Sequence, residues 1–130
     1  MDAEIVWLLE ETLTAIHHRQ IAEHGGSEGL RDESSLLSAL ARPQNLLAYS
    51  KPTPELASLA AAYAYGIARN HPFVDGNKRT ALVAARTFLI LNRVDLEATQ
   101  DDKFLTFLNL AEGAISEEEL ADWIRKRIHL

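Results

Sequence analysis

Residues 53–91 read TPELASLAAAYAYGIARNHPFVDGNKRTALVAARTFLIL, and their reading decides the fold. Thr53-Pro54-Glu55 is a helix start: a capping hydroxyl, a proline in the first turn and a carboxylate at the positive end of the dipole. The helix is expected to run to about Arg69. Ala57, Ala60, Ala61, Ala62, Ala64 and Ala68 keep it small on every side. Neighbours can then approach closely, so this helix belongs at the centre. Pro72 and Gly76 break the period over 71–76. A second helix is expected from near Asn77 to about Leu91, with Leu82, Ala85, Phe88 and Leu89 toward the core.

Working outward, residues 3–23 space Ile5, Val6, Leu9, Leu13 and Ile16 at helical intervals, with Glu4, Glu10, Glu11 and Arg19 between them. That pattern is an amphipathic helix, stopped by Gly25-Gly26. Residues 25–31 hold three of the six glycines and read as a flexible loop with a partly extended course. Asp32 can cap a short helix over 33–41 whose apolar side is Leu36, Leu37 and Leu40, with Pro43 as its stop. Val94-Asp95-Leu96 suggests a brief extended piece. Thr99 caps a helix to about Leu110, and Ser116 with Glu119 forms a capping box for a last helix ending near Ile128. The fold class is all-α: a compact single-domain bundle of about six helices over residues 1–130, with a short extended flap.

Composition narrows the function. The 130 residues are 47% hydrophobic and 25% charged, ordinary globular values, with a net charge of −6. Broad electrostatic binding to nucleic acid needs an excess of Lys and Arg, so no direct nucleic-acid partner is expected. There is no cysteine, which excludes disulfides, thiol catalysis and Cys-zinc sites. Met1-Asp2-Ala3-Glu4 is acidic and unlike a signal peptide, and no apolar run reaches about 18 residues. A cytoplasmic protein without a membrane span is expected.

One segment carries more chemistry than packing requires: His71-Pro72-Phe73-Val74-Asp75-Gly76-Asn77-Lys78-Arg79-Thr80. The first-turn amides of a helix lack intrahelical partners and, with the dipole, form an anion site. Gly76 lets backbone approach a ligand closely. Lys78 and Arg79 place positive charge where the helix already carries it, a local cost that points to a bound anion. Asp75 could ligate magnesium, which typically takes one or two carboxylates plus substrate phosphates. Imidazole is the side-chain type suited to proton transfer near neutral pH, which makes His71 the natural general base here. Each residue alone also has a bland reading: a cap for His71 or Asp75, solvated surface for Lys78 and Arg79. The string as a whole points to transfer chemistry on a nucleotide phosphate. It is not a P-loop.

HPFVDGNKRT resembles the signature of the Fic/Doc family, written HPFx[D/E][A/G]N[G/K]R, over nine positions. GGSEGLRDESSLLSALARP and AEGAISEEELADWIRK resemble the family's flap with second helix and the Doc tail. Fic proteins are helical and mostly transfer AMP from ATP to a target hydroxyl. They usually carry Gly where this chain has Lys78. Lys at that position in a short chain resembles the Doc branch. That resemblance implies a toxin that uses ATP and magnesium to phosphorylate a threonine of elongation factor Tu and so arrests translation and growth. It assigns His71 as the base, Asp75 as the magnesium ligand, and the amides around Gly76 and Asn77 as the phosphate cradle, with the Asn77 side chain orienting phosphate. Lys78 and Arg79 would neutralise phosphate charge. Phe73 would anchor the loop. Lys78 would fill space used by phosphates in AMP transferases, so that the nucleotide binds reversed and presents its γ-phosphate. Gly76 departs from the Ala of some Doc proteins.

The same resemblance makes Gly25, Gly26, Ser27, Glu28, Gly29 and Leu30 a flap that docks an extended target segment by strand addition. Arg31-Asp32 reads as a local cap pair. His17 and His18 are adjacent on a helix, face different ways and cannot share a metal. His24 and His129 sit at helix ends, and Trp7 and Trp123 read as core. The inhibitory pattern [S/T]xxxE[G/N] of many Fic proteins has no match, since His24 and Leu108 stand four places before Glu28-Gly29 and Glu112-Gly113. A separate Phd-like antitoxin is therefore expected, its C-terminal segment folding on binding. The alternatives are an AMP transferase and a catalytically silent binding module.

Overall fold

The computed structural model describes residues 4–129. Six helices follow in chain order among them: α1 Glu10–His24, α2 Glu33–Tyr49, α3 Leu56–Asn70, α4 Asn77–Leu91, α5 Gln100–Ala111 and α6 Glu117–Arg125. The expected all-α class is what the chain adopts. The one β-bridge among the described residues is antiparallel, Leu30 with Phe73.

The alanine-rich helix takes the centre. Ala60, Ala61, Ala62, Ala64 and Ala68 are wholly buried, and α3 packs against α2, α4, α5 and α6. Methyl-sized side chains allow four neighbours around one axis. Larger residues fill the space between: Tyr63 and Phe88 meet at 5.1 Å between ring centroids, and Phe107, Leu110, Leu120 and Ile124 close the α5–α6 side. Trp123 meets Phe107 edge-on at 6.4 Å, as a core reading of that indole requires.

Caps fall where their side chains predict them for three helices. Asp32 accepts from Ser34 N–H at the start of α2, and Thr99 accepts from Asp102 N–H at the start of α5. The Ser116–Glu119 capping box is complete. The cap at α3 differs. That helix begins after Glu55, whose carboxylate pairs with Arg125 of α6 instead of turning back onto its own helix. Thr53 and Pro54 lie before the helix, not in it.

Three further expectations are corrected. The helix anticipated over 3–23 begins only at Glu10; its expected start, Ala3, lies outside the described residues. Val6 and Leu9, placed on the core face by helical spacing, are exposed, while Leu8 is buried and Trp7 stacks on Phe88 at 6.0 Å. The cause is tertiary. Asn92 exchanges hydrogen bonds with the Val6 N–H and C=O, and the Tyr63 hydroxyl accepts from Leu8 N–H. Backbone groups so satisfied need no helix.

Second, α2 does not stop at Pro43 but carries it inside, buried. An interior proline removes a helical hydrogen bond and costs about 3 kcal/mol or more. Here α2 makes the broadest contact with α3, and Leu46 and Leu47 beyond the proline pack on the core. That packing outweighs the lost bond; Leu37 turns outward. Third, residues 94–96, read as a brief extended piece, pair with no strand among the described residues. Val94 N–H caps Leu89, Leu96 is buried, and Asp95 turns out to Arg86, whose guanidinium holds its carboxyl below the usual range.

The buried Tyr63 hydroxyl gives a test of the docked N-terminal segment. Tyr63→Phe leaves Leu8 N–H without an acceptor, so it should destabilise the chain by about 1–2 kcal/mol in urea unfolding. An unchanged midpoint would show that this bond does not hold residues 4–9 in place.

Candidate active site

The loop between α3 and α4 is shaped by its own side chains before any ligand is considered. Pro72 and Phe73 are buried, so the segment is pinned to the core at one point. Asn77, also buried, accepts from Phe73 N–H at 3.1 Å and donates to Phe73 C=O at 2.9 Å. That reciprocal pair turns the chain sharply into α4. It also commits both amide groups of Asn77 to the loop backbone, so this side chain shapes the cradle from behind. Gly76 has φ 75°, and a Cβ there would meet Ile21 Cδ1 at 3.0 Å. Glycine takes the left-handed backbone without strain, and a larger residue there would also push Ile21 aside by a few tenths of an ångström.

Around this turn lies a cavity of about 330 Å³. His71, Asp75, Gly76, Asn77, Lys78 and Arg79 all line it, so the structure brings the six motif residues to one space. His71, Asp75, Lys78 and Arg79 are solvent-exposed. The first-turn N–H groups of α4 face no intrahelical acceptor. Among the described residues no carboxylate lies within ion-pair distance of Lys78 or Arg79. Arg79 instead lies over the Phe104 ring of α5 at 4.9 Å, which steadies the guanidinium without neutralising it. Two unpaired cations, a helix N-terminus and a glycine turn make a site for a polyanion.

The flap meets the loop from the other side. Gly29 C=O accepts from Val74 N–H at 3.0 Å, and Pro72 C=O accepts from Arg31 N–H at 2.7 Å. Ser27 N–H reaches one Asp75 carboxylate oxygen at 3.3 Å, and Gly76 N–H donates to the other at 2.9 Å. Gly26 passes so close that a Cβ on it would come within 2.7 Å of Asp75 Oδ2. The anticipated extended course of residues 25–30 thus exists as backbone laid against the motif. Leu30 on the flap and Val74 on the motif loop are both left exposed.

Two residues read as ordinary in the sequence prove to belong here. His17 is buried. Its ring lies flat on Phe73, with centroids 3.8 Å apart and planes 4° from parallel, and its Nε2–H donates to Asp75 C=O at 2.8 Å. A carbonyl only accepts, so the proton sits on Nε2. His18 turns outward to Glu28 of the flap. The signal for His17 was present: it falls four places after Leu13 and four before Ile21 on the buried stripe of α1. Arg31 is not a cap partner of Asp32; it donates to His71 C=O and Asn70 C=O. Phe104 carried no readable signal, because only the packing of α5 on α4 brings it to the cavity. His17→Ala should cost about 2–3 kcal/mol in denaturant unfolding, since it strips a stacked ring and leaves a carbonyl without its donor. A loss under about half a kcal/mol would mean the loop holds itself.

The donor set suits magnesium as that ion is usually bound with nucleotides. Asp75 offers one oriented carboxylate at the cavity wall, and no cluster of three or more His, Cys, Asp or Glu exists among the described residues. One carboxylate plus phosphate oxygens and waters is a common magnesium environment.

Residues 7–89 match the Fic/DOC family. The chain belongs to the Fic/Doc family. Among relatives of this family, the "Protein kinase doc" of Escherichia phage P1 is 36% identical over 116 residues, covering 89% of this chain and 90% of that protein. The "Toxin Doc" of Mycolicibacterium smegmatis is 48% identical over 77 residues, 59% of each chain. Both place the chain with the Doc branch, as the Lys78 form of the motif anticipates. For a Fic/Doc chain the span 7–89 is informative: it starts at the docked Trp7 and ends at Leu89, enclosing α1, the flap, α3 and the motif. No helix among the described residues is long and apolar enough to cross a membrane.

Proposed function

We propose that this chain is the toxin of a toxin–antitoxin pair and transfers the γ-phosphate of ATP to a threonine hydroxyl of a translation factor, elongation factor Tu by family resemblance. The observation that supports this most is the shared cavity: an exposed imidazole, an oriented carboxylate and two unpaired cations around one helix N-terminus. His71 takes the proton of the incoming hydroxyl. The oxygen–Pγ bond forms, the bond from Pγ to the bridging oxygen breaks, and ADP leaves. The free N–H groups that open α4 beside Gly76, together with Lys78 and Arg79, hold the phosphates and take up charge on the leaving side. Asp75 would hold magnesium, whose charge offsets that of the phosphates. The flap, residues 25–30, lays the target segment along the cavity mouth.

The names of the two relatives support the kinase and toxin readings. A cognate Phd-like antitoxin that folds its C-terminal segment onto the toxin supplies the restraint this chain's sequence lacks. Cytoplasmic action follows from a target in the translation machinery. The deciding experiment incubates the purified chain with elongation factor Tu, magnesium and ATP labelled in either the α or the γ position. Label from the γ position alone, with a phosphate added in the mass spectrum, is expected. Label from the α position would make it an AMP transferase, and no nucleotide turnover with any protein substrate would make it a silent binding module.

A further inference from the structure

Arg31 closes the flap, one residue past the Leu30–Phe73 bridge. Its backbone N–H donates to Pro72 C=O at 2.7 Å. Its Nε–H donates to His71 C=O at 2.5 Å and a terminal N–H to Asn70 C=O at 2.7 Å. One residue thus satisfies three successive carbonyls where α3 ends. These are groups a helix terminus leaves without partners, at the dipole end that favours a cation. The guanidinium also reaches Ser35 Oγ at 3.4 Å, and that hydroxyl donates to Asp32, the N-cap of α2. A continuous line of hydrogen bonds runs from the start of α2 to the backbone of residue 71.

His71 needs such a hold. Its backbone is left-handed, φ 50° and ψ 59°, a conformation a non-glycine residue keeps only where its surroundings over-determine it. Its ring is exposed, and the hydrogen bonds of this residue among the described residues run to its backbone N–H and C=O. With no hydrogen bond on the ring, the backbone step at 71 is what sets the direction in which the imidazole leaves the chain. Asn77 and His17 brace the loop at residues 73 and 75, beyond that step. The His71 N–H closes α3 on Ile67 C=O at 3.3 Å, and Arg31 is the side chain that grips the step from the other side, on the carbonyls of 70 and 71.

We propose that Arg31 is a positioning residue for His71: its guanidinium fixes the left-handed step that points the imidazole into the cavity and ties that step to the flap. The catalytic part of this inference rests on His71 being the base. A target strand seated on the flap then meets a base whose position is set by the same segment.

The test uses the full chain with histidine labelled in 13C and 15N, as parent, Arg31→Met and Arg31→Lys. Arg31→Met should move the His71 ring resonances while those of His129, paired with Glu97 far from the loop, stay put. It should lower kcat on the order of 100-fold, the scale of a slightly misplaced catalytic group, with the Kd for magnesium-ATP within about twofold of the parent. Arg31→Lys keeps the charge but not the fork, so both readouts should fall between the other two. His71 resonances and kcat equal to the parent in Arg31→Met overturn the proposal. So does a Kd that rises in step with the loss of kcat, which would mark general collapse of the site. Should Arg31→Met fail to fold, Arg31→Lys decides by itself: parental His71 resonances there refute the role. If the parent transfers no phosphate, the base reading falls, and the resonances still decide whether Arg31 sets the position of residue 71.

Discussion

His71→Ala is expected to abolish transfer, with a fall of about 10²–10⁴-fold, the range for removing a general base. The fold should survive. The imidazole is exposed, and the contacts that hold the loop come from Phe73, Asn77, His17 and Arg31 rather than from the His71 ring. One backbone effect needs a control. Residue 71 is left-handed, and alanine tolerates that conformation less well than histidine or asparagine. His71→Asn therefore removes the base while keeping a residue suited to the turn. Both variants should melt near the parent and fail to arrest growth when expressed without an antitoxin. Arrest by either one at parental strength would remove His71 from the mechanism.

Lys78→Gly should have the next largest effect, and it changes the product as well as the rate. Lys78 sits in the first turn of α4 and lines the cavity with no carboxylate paired to it among the described residues. Its charge is unfavourable to the helix and favourable to a phosphate. Removing the side chain opens the space beside Gly76 and withdraws one of two cations. If Lys78 is what turns the nucleotide so that Pγ faces His71, the glycine variant either adds AMP to the target or loses activity by 100-fold or more, on the order of a lost charge-stabilising group. Stability should change little, because relief of dipole repulsion offsets the roughly 1 kcal/mol that glycine costs in a helix. Mass spectrometry of the target separates the products. A phosphorylated target at the parental rate would refute the role of Lys78.

The parts of the fold legible in the sequence are those governed by local physics. A hydroxyl or carboxylate followed by free N–H groups caps a helix wherever it stands, so Asp32, Thr99 and the Ser116–Glu119 pair were readable. A run of alanines has few other uses than close packing, so α3 could be placed at the centre. Where a local signal competed with a distant partner, the partner won. The helical spacing of Val6 and Leu9 lost to Asn92 and Tyr63, whose side chains lie 86 and 55 residues from their bonding partners in sequence. The stop signal of Pro43 lost to the contact of α2 with α3. The cap expected at Thr53 is not formed: α3 starts after Glu55, whose carboxylate reaches Arg125 of α6.

The site divides in the same way. The sequence by itself determined which groups could do chemistry, because an imidazole, a carboxylate, a glycine and two cations within nine residues are the same functional groups in any fold, and the family follows from their order. Only the tertiary structure decided how they are held: His17 beneath Phe73, Arg31 on the carbonyls of 70 and 71, Phe104 under Arg79. Those supports come from α1, the flap and α5, and no local pattern encodes them, since a stacking ring or a guanidinium chooses its partner by position in space and not by distance along the chain.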